Sequence, residues 1–120
     1  MAATIRSADA AEDTKLVFDH HLGAFAQGID AVLADYTENS VVVTPDATYR
    51  GLKEIKGFFQ AFLDGATPAF WAAFRIRTRS VEGEVAYLVW DSLPAVPMAT
   101  DTFLVRGRKI LVQTFTPLKA

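Results

Sequence analysis

The chain has 120 residues and a net charge of −2, from twelve basic and fourteen acidic side chains. This length suits one domain whose core needs no disulfide or metal staple, and the small negative charge gives no electrostatic footprint for nucleic acid or an anionic membrane. Cysteine is absent, which removes thiolate nucleophiles and thiolate metal sites. No apolar run approaches the roughly 20 residues of a membrane span, and the N-terminus has no signal-peptide core, so we expect a cytoplasmic protein.

Large apolar side chains are more abundant than a core of this size requires. Hydrophobic residues make up 51% of the chain, including nine Phe, two Trp and three Tyr. The surplus indicates an apolar cavity, a subunit interface, or both.

The first half of the chain is predicted to be mainly helical, with one short hairpin. A long helix runs over 8–28, with Ser7 or Asp9 as its N-cap and Gly28 as its end. The next predicted elements are a short helix over 30–34, a turn at 37–39, a β-branched strand over 40–44, a turn at 45–46 and a returning strand over 48–50. A second amphipathic helix over 52–64 ends at Gly65.

The second half is predicted to be a run of strands. They cover 69–81, 84–93 and 98–106, and a turn at 107–109 leads to a fourth strand over 110–117. Their tight links imply antiparallel hairpins. Helices followed by a meander indicate an α+β fold.

Two adjacent histidines in the first helix face different ways. At 100° per residue, His21 falls on the apolar face with Val17, Phe18, Leu22, Phe25 and Ile29, whereas His20 falls on the polar face. Because neighbouring helical side chains diverge in this way, we expect no two-histidine metal site.

Three arginines alternate along the first long strand. Strict alternation places Arg75, Arg77 and Arg79 on one face. We expect a solvated or dimer-facing row, and an anion site or nucleic-acid strip is disfavoured by the acidic total.

An ordered set of segments carries a family resemblance. The segments are DYTENSVVVTPD (35–46), YRGLKEIKGFF (49–59), AYLVWDS (86–92), TDTFLVRGRKI (100–110) and QTF (113–115). Together they resemble the nuclear transport factor 2-like superfamily, most closely its small bacterial SnoaL-like members, from about residue 8 to residue 117.

The resemblance implies a fold and an assembly. It predicts a single SnoaL-like domain over 1–120, in which a cone-shaped, curved antiparallel β-sheet wraps around N-terminal helices and encloses an apolar interior. It also implies a homodimer through the outer face of the sheet. Relatives include ketosteroid isomerase, cyclases, dehydratases and noncatalytic binding modules, so the fold alone does not select a function.

Comparison with ketosteroid isomerase suggests candidate site residues. That pocket needs an Asp base, a Tyr donor and a second, protonated Asp. The resemblance puts Thr44 at the base, and a Thr hydroxyl cannot take a carbon-bound proton at ordinary pH, so we do not expect a classical steroid isomerase. It puts Asp101 at the second Asp, Tyr36 at a tyrosine of the pocket network and Phe59 where another tyrosine is often found.

A histidine replaces the Tyr donor, and two positions compete for the place. Counting back from Pro45 gives His20, whereas helical periodicity favours His21. An inward His21 would be a hydrogen-bond donor or general base; alternatively it is a core histidine satisfied by a partner such as Tyr36 or Asp101. Asp101 is either a desolvated group in the cone or a strand-entry Asp bonded to backbone or solvent.

The remaining pocket candidates are Phe74, Trp90 and Gln113. Gln113 is the polar member of an apolar-flanked run, and for the aromatic residues ordinary core packing is the competing interpretation. We expect the protein to bind a small apolar, oxygenated molecule, with His21 and Asp101 as catalytic acid-base residues and no cofactor. The alternatives are a noncatalytic ligand-binding or protein-interaction module, or a cone filled by its own side chains.

Overall fold

The computed structural model describes residues 7–118 and places helices around a curved six-stranded sheet. The helices are α1 (Ser7–Ala24), α2 (Ile29–Leu33), α3 (Gly51–Gly65) and α4 (Pro68–Ala73). The strands are β1 (Val41–Val43), β2 (Thr48–Arg50), β3 (Phe74–Glu82), β4 (Val85–Ser92), β5 (Val96–Arg106) and β6 (Lys109–Leu118). The predicted α+β class is confirmed. None of the described helices is both long and apolar enough to cross a membrane.

The sheet has the order β2-β1-β6-β5-β4-β3. All neighbouring strands are antiparallel except β1 and β6, which run parallel, with Val42 opposite Gln113. The prediction of an antiparallel sheet is therefore wrong at this one pairing. Parallel strands need a long connection, and here everything between β1 and β6 supplies it.

Curvature of the sheet follows from interruptions in its ladders. The β3–β4, β4–β5 and β5–β6 pairings each contain a register shift. Bulges of this kind bend a strand and increase its twist. The concave face wraps around α1, where Phe18 is 1% exposed and packs on Phe103 with ring centroids 5.4 Å apart.

Helix α4 replaces the beginning of the strand predicted over 69–81. The Thr67 side chain accepts a hydrogen bond from the Phe70 amide at 3.1 Å, and Pro68 occupies the first turn. A capping Thr followed by Pro is a helix-start signal, because Pro lacks only a donor that the first turn leaves free. The long strand therefore begins at Phe74.

The end of α1 also differs from the prediction. The helix ends at Ala24, and Gly28, with φ of 106°, precedes α2 instead of ending α1. The side chain of Ser7 lies outside the described part, and Asp9 lies in the first turn of α1.

The three arginines of β3 do not share one face. Arg75 and Arg77 both contact the buried Asp91 carboxylate, at 3.2 and 3.0 Å, whereas Arg79 pairs with Asp19 of α1. The register shift in β3 lies between Ile76 and Thr78, so Arg77 is the extra residue and Arg79 follows the shift. One extra residue reverses the faces of a strand, so Arg79 points to the helix side.

Gly51 provides a stability test at the start of α3. Its φ is +79°, and an added Cβ would lie 3.3 Å from the Glu38 carbonyl oxygen. We expect Gly51→Ala to lower the free energy of unfolding by about 1–2 kcal/mol, because a side chain is strained at positive φ. Gly57→Ala, inside α3 with no atom near its Cβ, should raise it by about 1 kcal/mol. Urea unfolding measures both changes in free energy. Equal changes in Gly51→Ala and Gly57→Ala would contradict the requirement for glycine at position 51.

Candidate functional site

An apolar cavity of about 400 Å³ opens between the concave face of the sheet and helices α1, α3 and α4. Its lining is largely aromatic, with three polar side chains among the described residues. The lining residues are His21, Leu22, Phe25, Ala26, Phe58, Phe59, Phe62, Trp71, Phe74, Leu88, Trp90, Asp101, Phe103, Gln113 and Phe115. Apolar walls with few polar groups are typical of small-molecule sites.

Asp101 lies on the concave face because of strand alternation in β5. Alternate residues of that strand are buried, and Asp101 is 6% exposed. Its Oδ1 accepts a hydrogen bond from Trp90 Nε1 at 2.9 Å, and its Oδ2 accepts one from Gln113 Nε2 at 2.9 Å. The carboxyl group is therefore held by donors from both neighbouring strands, β4 and β6.

Burial raises the pKa of Asp101 to about 6, although the hydrogen bonds from Trp90 and Gln113 act in the opposite direction. The desolvation of the charged form outweighs both donors. An Asp with this pKa exchanges its proton close to neutral pH.

A buried polar chain continues from Asp101 through the core. Gln113 Oε1 accepts a hydrogen bond from the Tyr36 hydroxyl, and both residues are at most 3% exposed. Burial, followed by the charges of Asp101 and Asp35, raises the pKa of Tyr36 well above its ordinary value. Tyr36 does not line the cavity; it supports the side chain that does.

His21 is enclosed by aromatic rings. The ring centroids of Phe25, Phe103, Tyr36 and Phe59 lie 5.0, 5.2, 5.8 and 5.9 Å from that of the imidazole. Burial, with a smaller contribution from His20, lowers the pKa of His21 to about 3. The imidazole is therefore neutral at physiological pH, and its buried Nδ1 has no hydrogen-bond partner among the described residues.

His20 lies on the other side of α1 and does not line the cavity. Its Nδ1 is 2.8 Å from both carboxylate oxygens of Asp35, which follows α2. The side chain of His20 is 46% exposed, whereas that of Asp35 is 9% exposed. Within residues 7–118, no three His, Asp or Glu side chains are grouped to hold a metal ion.

The structure separates the predicted pocket residues into two groups. His21, Asp101, Phe59, Phe74, Trp90 and Gln113 line the cavity, whereas Tyr36, His20 and Thr44 do not. The predicted pocket position of Thr44 is corrected because its hydroxyl faces the β1–β2 turn, donating to the Ala47 carbonyl at 2.9 Å and accepting from the Ala47 amide at 3.1 Å. His21 and Asp101 share the cavity, but no hydrogen bond joins them among the described contacts.

Nine of the described lining residues are not among the predicted pocket residues: Leu22, Phe25, Ala26, Phe58, Phe62, Trp71, Leu88, Phe103 and Phe115. Trp71 was assigned to a strand, and the Thr67-Pro68 helix start is the signal that could have found it. Asp35 begins the family motif DYTENSVVVTPD, and no local pattern predicts its contact with α1, because that contact depends on the packing of α1 against the loop after α2.

The high pKa of Asp101 leads to a pH test. Unfolding returns the pKa to its ordinary 3.8, so the folded state loses stability as pH rises from about 4 to above 6, and the loss is absent below 4. Between pH 4 and pH 7.5, the unfolding free energy of Asp101→Asn should therefore rise by about 1–3 kcal/mol relative to that of the wild type. Urea unfolding across this range measures the difference between the two proteins.

Trp90→Phe gives the second arm of this test. Removing the indole donor should raise the pKa of Asp101 further, so the stability loss of the Trp90→Phe protein should still begin at about pH 4 but should be larger and extend to higher pH. If the difference in unfolding free energy between wild type and Asp101→Asn does not change with pH, the raised pKa of Asp101 is contradicted.

Comparisons with known proteins show similarity in structure. No protein-family model matches the chain, and no curated protein matches its sequence. A structure of a nuclear transport factor 2-like protein of unknown function from Mesorhizobium loti matches with a TM-score of 0.74 at 17% identity, covering 92% of this chain and 94% of that one. A SnoaL-like protein of unknown function from Burkholderia thailandensis matches at 0.69 and 11%, covering 89% and 95%.

A de novo designed protein with a curved β-sheet matches as well, with a TM-score of 0.69 at 14% identity, covering 89% of this chain and 86% of that one. Because one fold can host many functions, these matches show the architecture and not an activity. The resemblance expected from the sequence is confirmed for the architecture. The chain has the nuclear transport factor 2-like fold that these SnoaL-like structures share.

Proposed function

We propose that the cavity binds a small apolar molecule bearing an oxygen function, and that Asp101 and His21 perform acid-base chemistry on it. Isomerisation, dehydration, cyclisation and hydration are the reaction types that such a pair can serve. The cavity of about 400 Å³ suits a small organic ligand, and its few polar groups are grouped among aromatic walls.

The observation that carries this proposal is the opposite perturbation of two groups in one cavity. The pKa of Asp101 is raised to about 6 and that of His21 is lowered to about 3, in both cases by burial. Pairs of titratable groups whose environments move their pKa values in different directions are typical of acid-base sites.

Asp101 is the better matched proton carrier of the two. A pKa of about 6 lets it supply a proton to a ligand oxygen in its neutral form and accept one in its charged form near neutral pH. Trp90 and Gln113 each donate to one oxygen of this carboxyl group, which holds it in place in the cavity wall. A preorganised donor of this kind stabilises negative charge that develops on a carbonyl oxygen.

His21 has a different role in this proposal. With a pKa of about 3 the neutral imidazole is a weak base when the cavity is empty. It orients the ligand by a hydrogen bond. It becomes a stronger base when a bound ligand excludes water and places negative charge near the ring, because that charge favours the protonated imidazole.

The position of Thr44 supports a chemistry other than that of a classical steroid isomerase. Asp101 is the one carboxylate among the described lining residues. The position that the resemblance gives to the isomerase base is occupied by a Thr that faces a turn. The proposed reaction therefore uses the wall formed by α1 and β5.

A noncatalytic ligand-binding module is the second candidate. It is favoured by the absence of a hydrogen bond between His21 and Asp101 among the described contacts and by the weak basicity of the enclosed imidazole. In this case the same polar groups would recognise a carbonyl or hydroxyl without changing it.

A ligand screen separates the two candidates. We expect members of a panel of cyclic and open-chain apolar ketones, enols and epoxides to raise the unfolding free energy, by about 2.7 kcal/mol at one hundred times Kd. Turnover followed by mass spectrometry should fall about 10²- to 10⁴-fold in Asp101→Asn, because the proton carrier is lost. Leu22→Trp, which fills the cavity from α1, should abolish stabilisation by the ligand.

Thr44→Ala is the matched control for this screen. Its side chain lies outside the cavity and its hydroxyl bonds to the β1–β2 turn, so turnover should remain within about twofold of wild type. Stabilisation without turnover would favour the noncatalytic module. If no compound stabilises the protein, both candidates are wrong.

We also propose a homodimer through the convex face of the sheet. Cross-strand partners share a face, and Val112 pairs with Val41 and Leu104 on the side opposite Gln113. Val112 is 37% exposed, and Tyr87 on the same face is 39% exposed. Exposed apolar side chains in the middle of a sheet are suited to a subunit interface.

Sedimentation equilibrium tests the dimer. We expect wild type to have twice the chain mass and Val112→Arg to be monomeric, because a buried unpaired guanidinium costs several kcal/mol at an interface. Leu16→Arg is the matched control, since Leu16 is 58% exposed on α1, away from the convex face. A monomeric wild type, or dissociation by both substitutions, would contradict the proposed interface.

A further inference from the structure

Asp35 lies between the two histidines of α1. Its carboxylate oxygens are each 2.8 Å from His20 Nδ1 on the solvent side, and Oδ2 is 3.9 Å from His21 Nδ1 on the core side. The His20 ring must donate, because an ionised carboxylate only accepts. One carboxylate therefore faces both an exposed imidazole and the imidazole that lines the cavity.

His21 Nδ1 needs a partner that the rest of its surroundings do not provide. It is fully buried and has no hydrogen bond among the described contacts, while the residue is 2% exposed and enclosed by aromatic rings. The carboxylate oxygen Oδ2 of Asp35 lies 3.9 Å from this atom. A negative oxygen 3.9 Å away favours the tautomer with the proton on Nδ1.

This tautomer decides what the cavity histidine offers to a ligand. Nδ1 is fully buried, whereas the residue lines the cavity, so Nε2 is the ring nitrogen left to meet a ligand. With the proton on Nδ1, Nε2 carries a lone pair and can accept a proton or a hydrogen bond from the ligand. The separation of 3.9 Å exceeds a hydrogen bond, and such contacts often shorten when a substrate is bound.

The charge of Asp35 depends on groups from several elements. Burial raises its pKa, while the hydrogen bond and charge of His20 and the charge of Lys109 oppose that shift. His20 and His21 face it from α1, Lys109 from β6, and Tyr36 follows it in the chain. Because His20 is half exposed, a group at the protein surface helps to keep this buried carboxylate ionised.

We propose that Asp35 is a positioning residue that orients the cavity imidazole of His21, and that His20 is its anchor on the solvent side. The proposal rests on the proposed function, because it gives His21 Nε2 the accepting role in ligand recognition. It adds two residues that lie outside the cavity to the working site. No covalent step is involved; the carboxylate selects a tautomer by its field.

Nitrogen NMR of the imidazole rings tests this without a substrate. In wild type we expect the nitrogen shifts of His21 to report a proton on Nδ1 over pH 6–8, where its low pKa keeps the ring neutral. In Asp35→Asn, the ratio of the Nδ1–H to the Nε2–H tautomer should fall by about tenfold or more, because the negative field is lost. Asp91→Asn, which removes a buried carboxylate on the convex face, is the matched control and should leave the ratio unchanged.

His20→Ala provides a pH readout that a purely structural role would not move. Removing His20 takes away a hydrogen bond and charge that lower the pKa of Asp35, so that pKa should rise. As pH is lowered, the Asp35 carboxylate should then take up its proton at a higher pH than in wild type, and the Nδ1–H tautomer of His21 should be lost at that higher pH. His20→Gln retains a donor without the charge and should give an intermediate pH.

Three outcomes are distinguishable. A wild-type His21 with its proton on Nε2, or an Asp35→Asn protein with an unchanged tautomer ratio, overturns this inference even if ligands bind and react. A tautomer that follows Asp35 in a protein that no ligand stabilises upholds the arrangement and overturns the proposed function. Circular dichroism and the shifts of the core methyl groups identify variants that have lost the fold. If Asp35→Asn is among them, the inference is judged from the pH at which the His21 tautomer changes in His20→Gln.

Discussion

The burial of one carboxyl group constrains much of this structure. Moving an ionised carboxylate out of water costs several kcal/mol unless donors replace the solvent, and Asp101 receives its donors from Trp90 on β4 and Gln113 on β6. Gln113 is then held by Tyr36 from the helical side. A slip of either neighbouring strand by one residue would turn its donor to the other face and leave the carboxylate unpaired. The polar chain therefore specifies the register of the central strands, and apolar packing around it supplies the bulk of the stability.

Two adjacent histidines show how a helix divides one residue type between two environments. The 100° step along α1 puts the His21 ring among aromatic side chains and the His20 ring at the surface against Asp35. Desolvation dominates for His21 and holds it neutral. Its effect on stability has the opposite sign to that of Asp101. Unfolding exposes a histidine that can be protonated below about pH 6.5, so His21 opposes folding as pH falls, whereas Asp101 opposes it as pH rises.

Features that depend on a single helix, strand or motif could be predicted from the sequence. Helical periodicity oriented His21, because that orientation depends on one element's own repeat, whereas Asp101 was identified by the family motif alone. The orientation of Arg79 was missed since one extra residue in β3 reverses its face, and this bulge leaves no clear mark in the letters. The turn-facing hydroxyl of Thr44 and the approach of Asp35 to α1 depend on contacts between elements. Helix α4 was readable at Thr67-Pro68, but the aromatic residues that follow have strong strand propensity and outweighed that signal.

The parallel pairing of β1 with β6 has a consequence for the order in which the protein acquires its cavity. Gln113 bonds to a tyrosine 77 positions earlier, and the strand that carries it lies between β1 and β5 in the middle of the sheet. Contacts of such long sequence separation form late and slow folding, because loop closure must precede them. A chain still being synthesised can form its helices and the β3–β4–β5 meander, but it lacks the strand that completes both the wall and the polar chain. We therefore expect the cavity wall and the polar chain to be completed only when β6 joins the sheet.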